Sequence, residues 1–399
     1  MAVGRDNRYL MGMFMMFKIG TPSGGGRAAV RVKTSAVARA AIRAAALAVL
    51  LSAAAALFCG CASHISTEGP SETETEVSLI RVGFSQLGAE SDWREANTAS
   101  MEETFCAENG FELLMENGQQ QQTNQITSIR RFIQQGVDYI VLAPVTEQGW
   151  DTVLQEAREA GIPVIIADRM VDTADEDLYL CRVGSDFELE GRKASEWLYQ
   201  FTLAEGIEPG DIHIADIQGT IGASAQIGRT KGLEEAAQAH GWDLLAEVTG
   251  DFTQNRGYEA MKGLLEAYPE LNVVYCENDN SALGAIEAIG EAGRSAGSRI
   301  AEGDILVISF DGVNAQAMEY ALEDRITCIA QCNPEQGPLI RDIIEQVEAG
   351  GTPDKISYVD EGLYSAYAAI RSVDIDGSTY PVTLLSEEVL AQKEYWQET

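Results

Sequence analysis

From Leu79 onward, stretches with the pattern of strands alternate with stretches patterned as helices, and this rhythm is what most constrains the fold. Apolar runs at 80–85, 111–115, 139–143, 163–167 and 179–183 predict strands, and residues 93–109, 122–135 and 149–160 carry helical spacing between them. The rhythm then repeats. Strands are expected at 211–218, 243–249, 273–277, 305–310 and 327–331, with helices at 188–205, 225–240, 253–267, 281–291, 315–323 and 338–349. Strands buried on both faces read as continuous apolar runs, and most of these do. Strand–helix alternation with Gly, Pro and Asn in the connections predicts parallel, doubly wound α/β sheets. In a chain of 399 residues, two such lobes of about 100 to 150 residues each are expected.

Charge divides the chain unevenly. The first 60 residues hold eight of the 28 basic residues and one of the 62 acidic ones, so the remainder carries 20 basic against 61 acidic groups. A surface this negative repels phosphate backbones, which argues against nucleic-acid binding. Residues 1–61 read as a targeting segment: basic from Arg27 to Arg43, then apolar over 44–58 except for Ser52, too short to cross a bilayer comfortably. The run ends in Leu57-Phe58-Cys59-Gly60-Cys61, which resembles a bacterial lipoprotein processing site with Cys61 as the lipidated residue. An uncleaved anchor is the alternative, and an internal start at Met11, Met13, Met15 or Met16 would shorten the segment. Residues 62–77, dominated by Ser, Thr and Glu, cannot build a core and read as a flexible acidic tether. The seven Cys show no disulfide framework, and with three His a zinc site is not expected.

Polar residues stop several of the predicted strands. Asp168-Arg169 follows Pro-Val-Ile-Ile-Ala, Asn278-Asp279 follows Val-Val-Tyr-Cys-Glu, and Asp311 follows Leu-Val-Ile-Ser-Phe. In open α/β sheets ligands bind outside the carboxyl ends of the strands. The first predicted strand runs into a loop carrying Glu90, Trp93 and Arg94, an aromatic face beside a carboxylate and a guanidinium. That combination suits a sugar, whose C–H faces stack on rings while its hydroxyls meet charged donors and acceptors. Arg229 lies in the first turns of a predicted helix, and Phe252 sits between strand and helix in Gly-Asp-Phe-Thr. Taken singly, each could be a structural ion pair, a solvated Arg or a core Phe. No nucleophile elbow, phosphate loop, dinucleotide fingerprint or metal motif occurs.

From about residue 79 to 365 the chain resembles the periplasmic sugar-binding proteins of ABC importers, in the ribose/galactose-binding class and within it the galactofuranose type. The strings that carry the resemblance include G-F-S-Q-L-G-A-E-S-D-W-R, A-G-I-P-V-I-I-A-D-R, Q-G-T-I-G-A-S, G-D-F-T and S-F-D-G-V. It implies a type I periplasmic-binding-protein fold, two Rossmann-like lobes joined by three hinge crossovers, with residues 78–183 plus 332–362 in one lobe and 184–331 plus 363–399 in the other. It implies sugar contacts from Glu90, Trp93, Arg94, Asp168, Arg169, Arg229, Phe252, Asn278 and Asp311, with Gln331 at a hinge position. Two positions depart from the family: Asp92 stands where a Gly is frequent, and Gln331-Cys332-Asn333 replaces a hinge that is usually acidic. The implied protein is a monomer outside the cytoplasmic membrane, without cofactor, metal or catalysis, that hands a monosaccharide to a permease. A sugar sensor presenting its ligand to a membrane receptor or sensor kinase is the alternative. A repressor would need a helix-turn-helix where residues 44–76 supply an apolar run and an acidic tether.

Overall fold

A computed structural model describes residues 78–392; the expected signal segment with Cys61, and the tether up to residue 77, lie outside them. Six strands form the first sheet: β1 (Ile80–Gln86), β2 (Phe111–Asn117), β3 (Tyr139–Leu142), β4 (Val164–Ala167), β5 (Cys181–Gly184) and, far along the chain, β11 (Ile356–Tyr358). Their spatial order is β11-β5-β4-β3-β1-β2, and every pairing is parallel. Helices α1 (Asp92–Thr104), α2 (Gln122–Gln135), α3 (Asp151–Glu159) and α9 (Gly337–Glu348) cover its faces.

The second sheet has eight strands. Parallel strands β6 (His213–Gln218), β7 (Asp243–Thr249), β8 (Val273–Cys276), β9 (Leu306–Asp311) and β10 (Cys328–Gln331) build most of it. It is flanked by α4 (Phe187–Glu205), α5 (Ser224–His240), α6 (Gln254–Ala267), α7 (Asp279–Glu291) and α8 (Ala315–Leu322). Beyond β10 lie β12 (Leu363–Ser365), β13 (Ser372–Ile375), β14 (Ser378–Leu384) and a short α10 (Glu387–Leu390). β12 pairs antiparallel with β10, and β13 with β14.

Period-two alternation divides each strand between two cores. In β3, Tyr139 and Val141 join Met101, Phe105 and Ile344 under α1 and α9, while Ile140 and Leu142 join Phe132, Trp150 and Leu154 under α2 and α3. In β8, Val273 and Tyr275 face Trp197 and Phe201 of α4, and Val274 and Cys276 face Met261 and Ile286 of α6 and α7. Burying one such side chain stabilises by about 1.5 to 3 kcal/mol, so each sheet is held from both faces.

The chain passes between the sheets three times: after β5 into α4, after β10 into α9, and from β11 into β12. The three passages meet at one buried point. Ser185 Oγ donates to Glu361 Oε1 at 2.6 Å and lies 3.3 Å from Cys332 Sγ, and the Asn333 N–H donates to the same carboxylate oxygen at 2.7 Å.

One expectation needs correction. The helix expected over 93–109 ends at Thr104; Phe105 turns in and meets Phe111 edge-on at 5.1 Å, leaving a separate turn at Ala107–Asn109. The strands after residue 350 carry no long apolar run and were not anticipated, although Asp376 and Gly377 both have positive φ (51° and 84°), the two-residue turn that Asp-Gly favours.

Candidate functional site

The carboxyl ends of both sheets face one cleft. The cavity there is lined by Glu90, Ser91, Trp93, Arg94, Asp168, Arg169, Phe187, Ala225, Arg229, Phe252, Asn278, Asp311 and Cys332. Nine of the ten residues expected from sequence lie in that lining. Gln331, the tenth, is not among them; its Oε1 accepts the Gly362 N–H at 3.3 Å, at the hinge. Phe187 and Cys332 were missed, as was Glu190, buried behind Arg229. Each enters from a helix or crossover, where no strand-end pattern marks it.

Local backbone shape aims the side chains. Asp168 and Asp311, at the ends of β4 and β9, have φ of 61° and 88°, and Phe252 has φ 59°. Non-Gly residues rarely take this left-handed region, at a cost of about 1 to 3 kcal/mol each, and such strain clusters at ligand sites. Gly219 makes room for Phe252: a Cβ there would come within 1.9 Å of the ring. Trp93 is fixed by its indole N–H, which donates to the Cys332 carbonyl at 2.8 Å.

Three buried arginines organise the polar wall. Arg94 donates from Nη2 to Asp168 Oδ2 at 2.6 Å and from Nε to Glu90 Oε1 at 3.3 Å. Arg169 donates to the same Glu90 oxygen at 3.2 Å and to the Val145 carbonyl at 2.9 Å. From the other lobe, Arg229 donates to Glu190 Oε2 at 2.8 Å, to Asp311 Oδ1 at 3.3 Å and to the Glu277 carbonyl. Burial alone would lower the Arg94 pKa, but Asp168 and then Glu90 outweigh it and hold it above the ordinary guanidinium value. Arg169, without so close a carboxylate, is lowered by burial. Burial pushes the Asp311 carboxyl up against the pull of Arg229.

This network leaves three polar atoms over, Glu90 Oε2, Arg94 Nη1 and, behind Arg229, Glu190 Oε1. Glu90 Oε2 and Arg94 Nη1 are fully buried, belong to residues that line the cavity and have no partner within the protein. A buried unpaired charged atom is expensive, so an acceptor and a donor stand ready for a ligand with hydroxyl groups. Asn278 is committed elsewhere: its Nδ2 donates to the Phe252 carbonyl at 3.0 Å, and its Oδ1 caps α7 through the Ser281 N–H.

Two lobes on parallel sheets, three crossovers and a charged, ring-lined cleft define a ligand-binding protein of the hinged kind. Residues 82–368 match the periplasmic binding protein domain, and the chain belongs to that family. Membership implies an extracytoplasmic location. The galactofuranose-binding protein YtfQ of Escherichia coli is 36% identical over 290 residues, covering 71% of this chain and 87% of that protein. A Mycobacterium smegmatis protein solved with β-D-fucofuranose is 37% identical with a TM-score of 0.67, covering 72% of this chain and 91% of that one. The arabinose-transporter binding component of Shewanella sp. ANA-3, solved with α- and β-L-arabinofuranose, is 37% identical with a TM-score of 0.66, covering 71% and 91%. No helix among the described residues is long and apolar enough to cross a membrane.

Proposed function

We propose that this chain is the solute-binding protein of an ABC sugar importer, taking one monosaccharide, galactofuranose or a related furanose, in the interlobe cleft for delivery to a membrane permease. The observation that carries this reading is the pair of unpartnered buried atoms, Glu90 Oε2 and Arg94 Nη1, on residues that line the cavity together with Trp93 and Phe252. The rings stack on the sugar's two faces. Arg94, Arg169 and Arg229 donate to its oxygens, and Glu90, Asp168 and Asp311 accept from its hydroxyls. Because a missing hydroxyl would leave charged groups unpaired, selectivity should be high.

In this reading the lobes comprise residues 78–183 with 332–362, and 184–331 with 363–399. Closure brings both sets of contacts onto the sugar, the hinge mode of domain closure. The protein acts as a monomer, releases its cargo chemically unchanged, and is held at the membrane by a lipid on Cys61.

A thermal-shift screen against D-galactose, D-fucose, L-arabinose, D-ribose and D-fructose tests the reading. A sugar at about one hundred times its dissociation constant stabilises by roughly 2.7 kcal/mol, a clear rise in Tm. We expect that rise with sugars that populate a matching furanose. A flat response across a wide monosaccharide panel would overturn the assignment.

A further inference from the structure

Asp92, the first residue of α1, does not line the sugar cavity. It reaches across the cleft mouth instead. Its Oδ2 accepts from Asn280 Nδ2 at 3.1 Å and from Asn314 Nδ2, and its own N–H faces Asn280 Oδ1 at 3.4 Å. Asp92 belongs to the first-sheet half of the molecule; Asn280, in the first turn of α7, and Asn314, which caps α8, belong to the second.

The surroundings favour a carboxylate at this point. It lies at the N-terminal ends of three helices, α1, α7 and α8, each of which carries a partial positive charge at that end. Asn314 is oriented for the contact because its Oδ1 accepts the Ala317 N–H at 2.9 Å, which leaves Nδ2 to face Asp92. The neighbouring acid, Asp279, turns away to Ser309 Oγ at 2.9 Å and to the Val313 and Asn314 N–H groups at 2.9 and 3.1 Å, so it does not compete for the two amides. Elsewhere on the rim the lobes meet through neutral bonds, Glu147 N–H to Gly222 O at 3.2 Å and Met170 N–H to Ser224 Oγ at 2.7 Å.

We propose that Asp92 is a positioning residue that latches the closed cleft through Asn280 and Asn314, setting how long the sugar stays rather than which sugar enters. This rests on the sugar-binding reading above. None of the latch bonds uses an atom of the ligand, so each stabilises the closed form whatever the sugar's stereochemistry. A contact formed only after closure acts mainly on the rate of escape.

Sugar dissociation measured by stopped flow, on full chains carrying Asp92→Ala, Asn280→Ala or both, tests the latch. Loss of one or two charge-assisted hydrogen bonds predicts release about 10- to 100-fold faster for Asp92→Ala. Association should stay within a few-fold, and the order of preference among sugars should not change. The double variant should release sugar no faster than Asp92→Ala by more than the small residual effect of Asn280, because the two residues share one interaction. Unchanged release, strictly additive effects or a reordered sugar preference would each overturn the proposal. Small-angle scattering of the sugar-free proteins is a separate arm: Asp92→Ala should have the larger radius of gyration, and equal radii would sink the latch. That arm needs no ligand, so it judges the latch even if the sugar assignment fails.

Discussion

Arg94 shows how much of the site rests on one side-chain geometry. Its planar fork holds Asp168 and Glu90 with two nitrogens and leaves the third, Nη1, buried without a protein partner. Lysine preserves the charge but cannot make three directed bonds from one plane. We expect Arg94→Lys to bind sugar about 10- to 100-fold more weakly while its circular dichroism matches the unsubstituted protein. Unaltered affinity would mean that Nη1 does not touch the ligand. At this scale the sequence was most readable where an apolar run ends abruptly in a charge, as at Asp168 and Asp311. Phe187 and Glu190 gave no such sign, because both lie in the first turn of a helix whose next turns bury Ala194 and Trp197, and one inward aromatic or acid looks like ordinary helix packing. Asp92 was visible as an added charge near the site, but its partners, about 190 and 220 residues further on, are set by tertiary structure alone.

At the scale of elements, the packing of α5 against β6 and β8 hides an acid pair that binding does not explain. Asp216 and Glu277 are both fully buried, and Thr230 of α5 bridges them, its hydroxyl 3.2 Å from Asp216 Oδ2 and 2.7 Å from Glu277 Oε1. Burial raises the Glu277 pKa to about 8, against the lowering effect of the Gly219 N–H, Thr230 and Arg229. A raised folded pKa means that the native state binds more protons than the unfolded chain. The contribution is therefore fully present below the unfolded glutamate's value of about 4.3 and is lost as pH climbs to about 8. Denaturant unfolding across that range should show stability falling with pH, and Glu277→Gln should flatten the slope. The same steep decline in the variant would place the titration elsewhere. The element order up to β10 could be read from sequence because most of these parallel strands are doubly buried, short apolar blocks, with only the edge strands β2 and β7 partly exposed. Strands β11 to β14 could not, because β11 is largely exposed and β13 and β14 alternate at a sheet edge. The Asp-Gly pair at 376–377 was the available signal for the last hairpin.

For the whole molecule, the cavity is complete only where the two halves meet. One side of the cavity brings Glu90, Trp93, Arg94, Asp168 and Arg169; the other brings Arg229, Phe252 and Asp311. The three passages between the sheets, tied together at Ser185, Cys332, Asn333 and Glu361, provide the hinge about which those sets converge. Two α/β lobes were legible from the repeating rhythm of strands and helices. The hinge tie was not, because it is made by single residues from three distant stretches of chain. On the proposed reading, closure on a sugar removes the faces of Trp93 and Phe252 from water, and burial of apolar surface lowers the heat capacity. The most direct test is a calorimetric titration, at several temperatures, with the sugar that raises Tm most. One sugar per chain with a clearly negative heat-capacity change is the predicted result. Binding with no heat-capacity change, or more than one equivalent site per chain, would contradict a single sugar enclosed between the lobes.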